Sequence, residues 1–425
     1  MSVAYDANAQ KVVITYRDAG NSYYGTAIVG TVSGTSISFG TPVVFESAAT
    51  AYTCVVYDSN AQKVVVAYSD QGNSEYGTGI VGTVSGTSIS FGTPTVFAET
   101  VVYYTAMSYD SNAQKVVIAY TDLSSSSHGK SVVGTVSGTS ISFGSTATFE
   151  SASTSDLSVI YDANAQRVVI AYRDSGNSNY GTAIVGTVSG TSISFGSAVV
   201  FNSANSTAMS AAYDANAQKV VIAYRDIGNS SYGTAIVGTV SGTSISFGTE
   251  VVFVAGASTN MAAVYSAVAQ KVVIAYRDGL NSNYGTAIAG TVSGTSISFG
   301  SSIVFESASI LIPESALAYD ANAQKVVIGY QDTGNSSYGT AVVYTAPYSQ
   351  FNLTSENYIG IAADTYADNE DSTIGIVGCI DRNQTGLTAG QQYFVQNDGT
   401  LATTAGDPSV LAGTAISATE LVVKE

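Results

Sequence analysis

The tyrosine of the phrase YD recurs on a clock. Tyr5, Tyr57, Tyr109, Tyr161, Tyr213 and Tyr265 stand 52 residues apart, and Tyr319 follows 54 later. A fixed period of this length means one supersecondary unit stacked on copies of itself, and that constrains the fold more than any composition does. The copies run to about residue 345. Within them the sentence GTVSGTSISFG, first met at Gly30, returns at Gly82, Gly134, Gly186, Gly238 and Gly290.

Each copy carries four strand signals divided by turn signals. In the first, SVAYD leads through ANAQ into KVVITYRD, then AGNSYYG leads into TAIVGTVSG, whose Ser-Gly-Thr turn gives TSISFGTPVVF. Val12, Ile14 and Tyr16 point one way along the second strand and Val13, Thr15 and Arg17 the other. Both sets are apolar until the strand ends, as in a sheet covered on both faces. β-branched residues dominate, glycine punctuates, and no stretch shows a 3.6-residue period, which excludes a helical solenoid. A β-solenoid has shorter coils than these four-strand units. The pattern predicts an all-β chain: a seven-bladed β-propeller over residues 1–346, followed by a small β module over 347–425.

Copy seven breaks the pattern. It runs ALAYD, KVVIGYQD and GTAVVYTA, then changes to PYSQFNLTSENYIGIAAD, so the last TSISFG strand is missing. The N-terminus begins almost at once with a first-strand sequence and has no outer strand to lend. Either the seventh outer strand is absent, or the tail supplies it from around Tyr358–Ala363. An uncovered edge there would invite pairing with another chain.

Composition then excludes several classes. With 45% hydrophobic residues, 29 Tyr and 5 Pro, the chain can bury a large core. No apolar run is long enough for a membrane helix, and MSVAYD reads as a strand, not a signal sequence. The net charge of −17 argues against a phosphate-backbone partner, so no nucleic acid is expected. Cys54 and Cys379 make no disulfide framework and are expected as free, buried thiols.

The tail sentence GLTAGQQYFVQNDGTLATTAGDPSVLAGTAISATELVVK, Gly386 to Lys424, resembles the C-terminal modules of bacteriophage and marine-virus structural proteins. The halves LTAGQQYFVQNDGTL and AGTAISATELVV carry the likeness. Repeats of the GTAIVGTVSGTSISFG kind look like those of marine viral fibre and surface proteins. The two resemblances imply a virion surface component, a tail-fibre or decoration protein, and not a chemistry.

A propeller places the second-to-third turns and the blade links on one face. Those segments differ between copies: the turns read AGNSYY, QGNSEY, LSSSSH, SGNSNY, IGNSSY, GLNSNY and TGNSSY, and the links include ESAATAYTCV, AETVVYYTAM and VAGASTNMAA. The opposite face repeats YDANAQK and VSGTS. Variation on a rigid ring is where binding sites arise, although loops also drift freely. The candidate constellation there is YRDxGNSxYG. It places Arg17, Asp18, Asn21 and Tyr24 on one blade; Arg173, Asp174, Asn177 and Tyr180 on another; and Arg225, Asp226, Asn229, Tyr232 with Arg277, Asp278, Asn281, Tyr284 on two more. Blades two, three and seven replace the arginine with Ser69, Thr121 and Gln331. Planar polar groups beside a tyrosine ring suit sugar hydroxyls and the apolar face of a pyranose. The structural alternative is that Arg and Asp pair between blades while GNS only turns the chain.

Metal and catalysis find less. Asp6 with Asn8, or Asp18 with Asn21, lacks the acidic density of a calcium loop, and Asp-Ala-Asn reads as a hairpin turn in which Asn takes positive φ. No cofactor is expected. His128 is the one histidine, so a His-dependent triad or zinc site would rest on it alone. Glycoside hydrolysis needs two carboxylates and sialidases share this strand order, but the corresponding turn reads SGTSISF and the chain has no Trp. The expectation is a non-enzymatic virion surface protein that attaches to host carbohydrate, joins other virion proteins through its C-terminal module and forms a homo-oligomer. The alternatives are a purely structural decoration or fibre protein and a polysaccharide-degrading hydrolase.

Overall fold

The computed structural model describes residues 1–347, 360–362, 373–395, 400–405 and 410–423. The repeat unit begins as a hairpin, with Ser2–Asp6 antiparallel to Lys11–Asp18. Asp6 makes the turn: its Oδ1 accepts the N–H groups of Asn8 and Ala9 at 3.0 and 2.9 Å. The left-handed residue is Gln10, φ 54°, and not Asn8 as the sequence suggests. Asn8 keeps ordinary φ because its amide is held by the carboxylate, so the reversal falls two residues later.

Lys11–Asp18 pairs next with Tyr24–Ser33. This ten-residue strand is longer than its outer neighbour. Its far half pairs with Ser36–Phe39 across Gly34, whose φ of 60° is cheap only for glycine. Its near half pairs with the start of Val43–Asp58, and the rest of that 16-residue strand pairs with Lys63–Asp70 of the next copy. The link between copies, read in the sequence as a loop, is therefore one continuous strand: outermost in one sheet, innermost in the next.

The same registers recur through seven antiparallel sheets between residues 1 and 347. Neighbouring sheets share one core. Val13, Ala27 and Val29 of the first pack with Val64, Val66 and Ile80 of the second, all buried. That is why the second strand is apolar on both faces. The clock tyrosines clasp neighbours together: the Tyr57 hydroxyl accepts the N–H of Asn8, and Tyr109, Tyr213 and Tyr319 take those of Asn60, Asn164 and Val268, at 3.1 to 3.2 Å. Tyr5 takes the N–H of Asn322 at 3.2 Å, and Val3, Val12 and Ile14 pack on Ala318 and Val327, so the last sheet meets the first and the ring closes. The fold is a β-propeller.

Copy seven has Leu317–Asp320, Lys325–Asp332 and Tyr338–Tyr344. Among the described residues, Tyr338–Tyr344 pairs only with Lys325–Asp332. The tail segment that the sequence offered as an outer strand lies outside the described residues except for 360–362, where Ile361 and Ala362 pair with Gly375 and Ile374.

The chain divides into two compact units, Met1–Pro347 and Tyr348–Glu425. The second holds a five-stranded sheet built from Ile380–Asp381, Gln392–Val395, Leu401–Ala402, Leu411–Ala415 and Leu421–Val423. Leu387, Tyr393, Ala412, Ala415 and Leu421 form its core. Both cysteines are free; Cys54 is buried, whereas Cys379, expected to be buried, is exposed. Among the described residues no helix is long and apolar enough to cross a membrane.

Candidate ligand-binding face

The four predicted constellations sit at the second-to-third turns, and the structure divides their labour. The aspartates are turn builders. Asp18 accepts the N–H of Gly20 at 3.0 Å, Asp174 those of Gly176 and Asn177 at 3.0 and 3.1 Å, Asp226 that of Asn229 at 3.2 Å and Asp278 that of Leu280 at 3.0 Å. The carbonyls of Asn21, Asn229 and Asn281 accept the N–H of Tyr24, Tyr232 and Tyr284 at 2.9 to 3.0 Å. Two consecutive left-handed residues follow, Ser22 and Tyr23 in the first blade and Ser178 and Asn179 in the fourth. Tyr24, Tyr180, Tyr232 and Tyr284 then open the third strand, half-buried. The asparagine side chains project outward; Asn21, Asn177 and Asn229 are exposed.

The arginines do not pair with these aspartates. Among the described residues the ion pairs are Lys130–Asp122 and Arg382–Glu420. Arg17 lies over the Tyr23 ring, 4.1 Å from its centroid. Arg225 donates to Ser231 Oγ at 3.1 Å, and Arg277 to Thr259 Oγ1 at 3.4 Å. The Nε–H groups of Arg173, Arg225 and Arg277 are buried without a partner. Buried donors left unmade cost free energy, typically about 1–3 kcal/mol each. The four sets occupy separate blades, and the structure does not gather them into one pocket.

A second ring of residues lies beside the arginines, and the sequence reading missed it. Each link strand bulges where it passes from one sheet to the next, as the register shift between Ala51 and Cys54 marks. The bulged residue is left-handed although it is not glycine: Tyr52, Tyr104, Asp156, Ala208 and Asn260, with φ between 48° and 51°. Each stands five residues before a clock tyrosine, and Glu314 holds that place in copy seven. After the paired Tyr52 and Tyr104 the identity changes at every copy, and that variation is the one signal that could have found them. Arg173, Arg225 and Arg277 sit opposite Ser155, Thr207 and Thr259, each immediately before a bulged residue. Arginines and bulges thus form neighbouring rings on the varied face.

A cavity of about 770 Å³ opens among them, lined by Tyr52, Tyr104, Asp156, Glu314 and Arg17. The Tyr52 ring lies 4.9 Å from that of Tyr103 and 5.4 Å from that of Tyr104, centroid to centroid. Tyr52 and Tyr104 are 38% and 39% exposed, so the platform presents ring surface to a ligand. Asp156 is fixed by Ser155 Oγ at 2.8 Å and by the N–H of Ala208 at 2.9 Å. Burial, with the negative charge of Asp156 adding to it, pushes the Glu314 carboxyl above the usual carboxylate range. Burial likewise raises the hydroxyls of Tyr52 and Tyr104, which stay neutral donors. Innermost-strand residues of several copies, Val55, Met107, Val159 and Ala211 among them, wall this cavity, so it is the mouth of the ring's central channel, and it offers tilted tyrosine rings beside hydroxyl, carboxyl and guanidinium groups. His128 stands apart, at the start of a third strand. Among the described residues no three His, Cys, Asp or Glu side chains gather to hold a metal.

No family model matches this chain, and no curated protein matches it in sequence. Solved structures share its fold. A lectin from Burkholderia pseudomallei is 9% identical with a TM-score of 0.53, over 81% of this chain and 99% of that one. The propeller domain of Swd1 from Myceliophthora thermophila is 8% identical with a TM-score of 0.54, over 82% and 97%. A periplasmic gluconolactonase from Pseudomonas aeruginosa is 11% identical with a TM-score of 0.52, over 79% and 97%. These similarities concern the fold.

Proposed function

We propose that the propeller binds carbohydrate at the mouth of its channel and over the surrounding arginine ring. The tyrosine platform carries this reading: Tyr52 and Tyr104 offer half-exposed rings to the apolar face of a sugar, with Asp156, Glu314 and Arg17 placed for its hydroxyls. The repeated Arg and Tyr at the blade turns add weaker, separate contacts that gain by avidity on a polymeric glycan. The fold it shares with a lectin is compatible with this use. In the fuller reading the protein is a virion surface component. The propeller attaches to host-surface glycan, and residues 347–425 join it to other virion proteins or to sibling subunits. That step rests on the viral likeness of the tail and repeat sentences. The protein acts by binding, without enzymatic turnover or a cofactor. The test is saturable binding of the full chain to a panel of microbial polysaccharides, with and without a calcium chelator. Loss on Tyr104→Ala supports the reading; no binding by a protein that still assembles supports a purely structural role.

One observation favours a second reading. Glu314, whose carboxyl burial raises above the ordinary carboxylate range, and Asp156 line the same cavity, and glycoside hydrolysis uses two carboxyl groups in one cleft. Release of reducing ends from a bound polysaccharide, lost on Glu314→Gln, would support it.

A further inference from the structure

Six junctions in the ring are filled by one phenylalanine each. Phe45, Phe97, Phe149, Phe201, Phe253 and Phe305, all on link strands, pack against Tyr68, Tyr120, Tyr172, Tyr224, Tyr276 and Tyr330 of the following blade at 5.2 to 5.5 Å between centroids. The floor of each slot is a glycine of the preceding blade: a Cβ on Gly25 would stand 2.4 Å from the Phe45 ring, and one on Gly181 2.5 Å from that of Phe201. In five of the slots the Phe of the next SISF strand closes the far side, as Phe91 does at 5.6 Å from Phe45.

The junction between copy seven and copy one has all three walls but no phenylalanine, and only the end of the Met1 side chain reaches its floor. Gly339 is the floor, and a Cβ there would meet only the Met1 side chain. Tyr16 and Phe39 are the walls. Phe39 is 42% exposed, and Tyr16, Ile28 and Ile37 are only half-buried, although their counterparts Tyr68, Ile80 and Ile89 are at most 3% exposed. A groove of about 780 Å³ runs there, lined by Tyr16, Ile28, Phe39, Gly339, Thr340 and Ala341. Its far side is a strand edge left unpaired among the described residues. Gly25, Thr26 and Ala27 pair with Glu46, Val44 and Val43, but Gly339, Thr340 and Ala341, which match them in copy seven, have no such partner among the described residues.

We propose that this groove is an acceptor for an extended strand of another protein, and that the six filled junctions specify what it accepts. The donor runs antiparallel to Tyr338–Tyr344, with β-branched residues against Thr340 and Ala341 and a phenylalanine in the slot over Gly339. Strand addition at an open edge supplies main-chain hydrogen bonds, and the aromatic pocket supplies selectivity. Polar complementarity extends the signature by one residue. Glu46, Glu150 and Glu306, each directly after its Phe, accept the hydroxyls of Tyr68, Tyr172 and Tyr330 at 3.0, 3.1 and 3.0 Å. Tyr16 stands where those tyrosines stand, and an acidic residue after the donor's phenylalanine would take its hydroxyl. The partner strand thus reads β-branched, β-branched, Phe, acidic. This inference does not depend on carbohydrate binding.

The probe is a synthetic peptide of residues 41–50, TPVVFESAAT, labelled and titrated onto the full chain. The expected result is saturable binding, weakened at least tenfold by Phe45→Ala in the peptide and severalfold by Tyr16→Phe in the protein. Gly339→Leu, which fills the slot from within, should abolish binding while the circular dichroism spectrum stays that of the parent. Binding unchanged by both Phe45→Ala and Gly339→Leu would overturn the proposal. So would protection of the 339–341 amides from hydrogen exchange in the unliganded protein: at all concentrations it would mean that the chain covers its own edge, and only at high concentration that a second copy does.

Discussion

The ring of Phe201 lies 5.2 Å from that of Tyr224 in the next blade, and Gly181 beneath it leaves no room for a Cβ. A local turn of sequence, glycine at the start of one strand and phenylalanine on the link, is thereby converted into contact between sheets. Phe201→Ala should cost about 3–4 kcal/mol, the range for emptying a buried aromatic site. Gly181→Val should also destabilise, because the Phe201 ring must move. Denaturant unfolding of both variants checks this, and equal stability to the parent would remove the phenylalanine from its role as inter-blade wedge.

Blade three departs from its siblings at its loop, and it gains an ion pair there. Lys130 Nζ meets Asp122 Oδ2 at 2.5 Å, and Asp122 is 3% exposed. Burial raises the Asp122 carboxyl, but hydrogen bonds from Lys130, Thr100, Ser124 and Ser125 outweigh it and hold the group below its ordinary 3.8. A depressed acid contributes stability that is present above its unfolded value and is lost as pH falls through the folded one. Lys130→Ala should cost about 3 kcal/mol at pH 7, since it leaves a buried charge without its partner. Thermal unfolding between pH 7 and pH 3 should show the difference from the parent shrinking as acid is added.

Glu314 has the opposite sign. Its folded-state carboxyl is raised above 4.5 by burial, so the folded chain binds the proton more tightly than the unfolded one. Stability falls as pH rises from about 4.5 through the folded value. Glu314→Gln should flatten that slope and leave the protein at least as stable as the parent at pH 7. A variant less stable at neutral pH would mean that the carboxylate is paired and charged.

The two thiols should differ in reactivity. Burial pushes the Cys54 thiol up to about 12, while Cys379 is exposed. A thiolate-specific reagent at pH 8 should titrate one thiol at once and the second only after unfolding.

The repeat period, the four strands and the doubly buried second strand were legible because alternation and turn chemistry are local. The clock tyrosine announced the period but not its purpose, since its bond to the neighbouring turn spans 49 residues between Asn8 and Tyr57. The constellation Arg17, Asp18, Asn21, Tyr24 was visible as a motif. Its division of labour was not: whether Asp18 faces a ligand or the Gly20 amide is decided by loop closure. The bulge ring was hidden most deeply. Only Tyr52 and Tyr104 share a residue type, Asp156, Ala208 and Asn260 differ from them and from one another, and a left-handed residue inside a strand leaves no composition signal. Only alignment of the copies against Tyr57, Tyr109, Tyr161 and Tyr265 brings them to one position.

Carbohydrate binding at the channel mouth is tested most directly by titrating the full chain with the best polysaccharide from a panel, alongside Tyr52→Ala and Tyr104→Ala. The two substitutions lie on a half-exposed platform and should leave the thermal midpoint within a few degrees. Each should weaken binding about tenfold, the scale of one lost aromatic stacking contact. Unaltered affinity in both variants would contradict it and move the site away from the mouth.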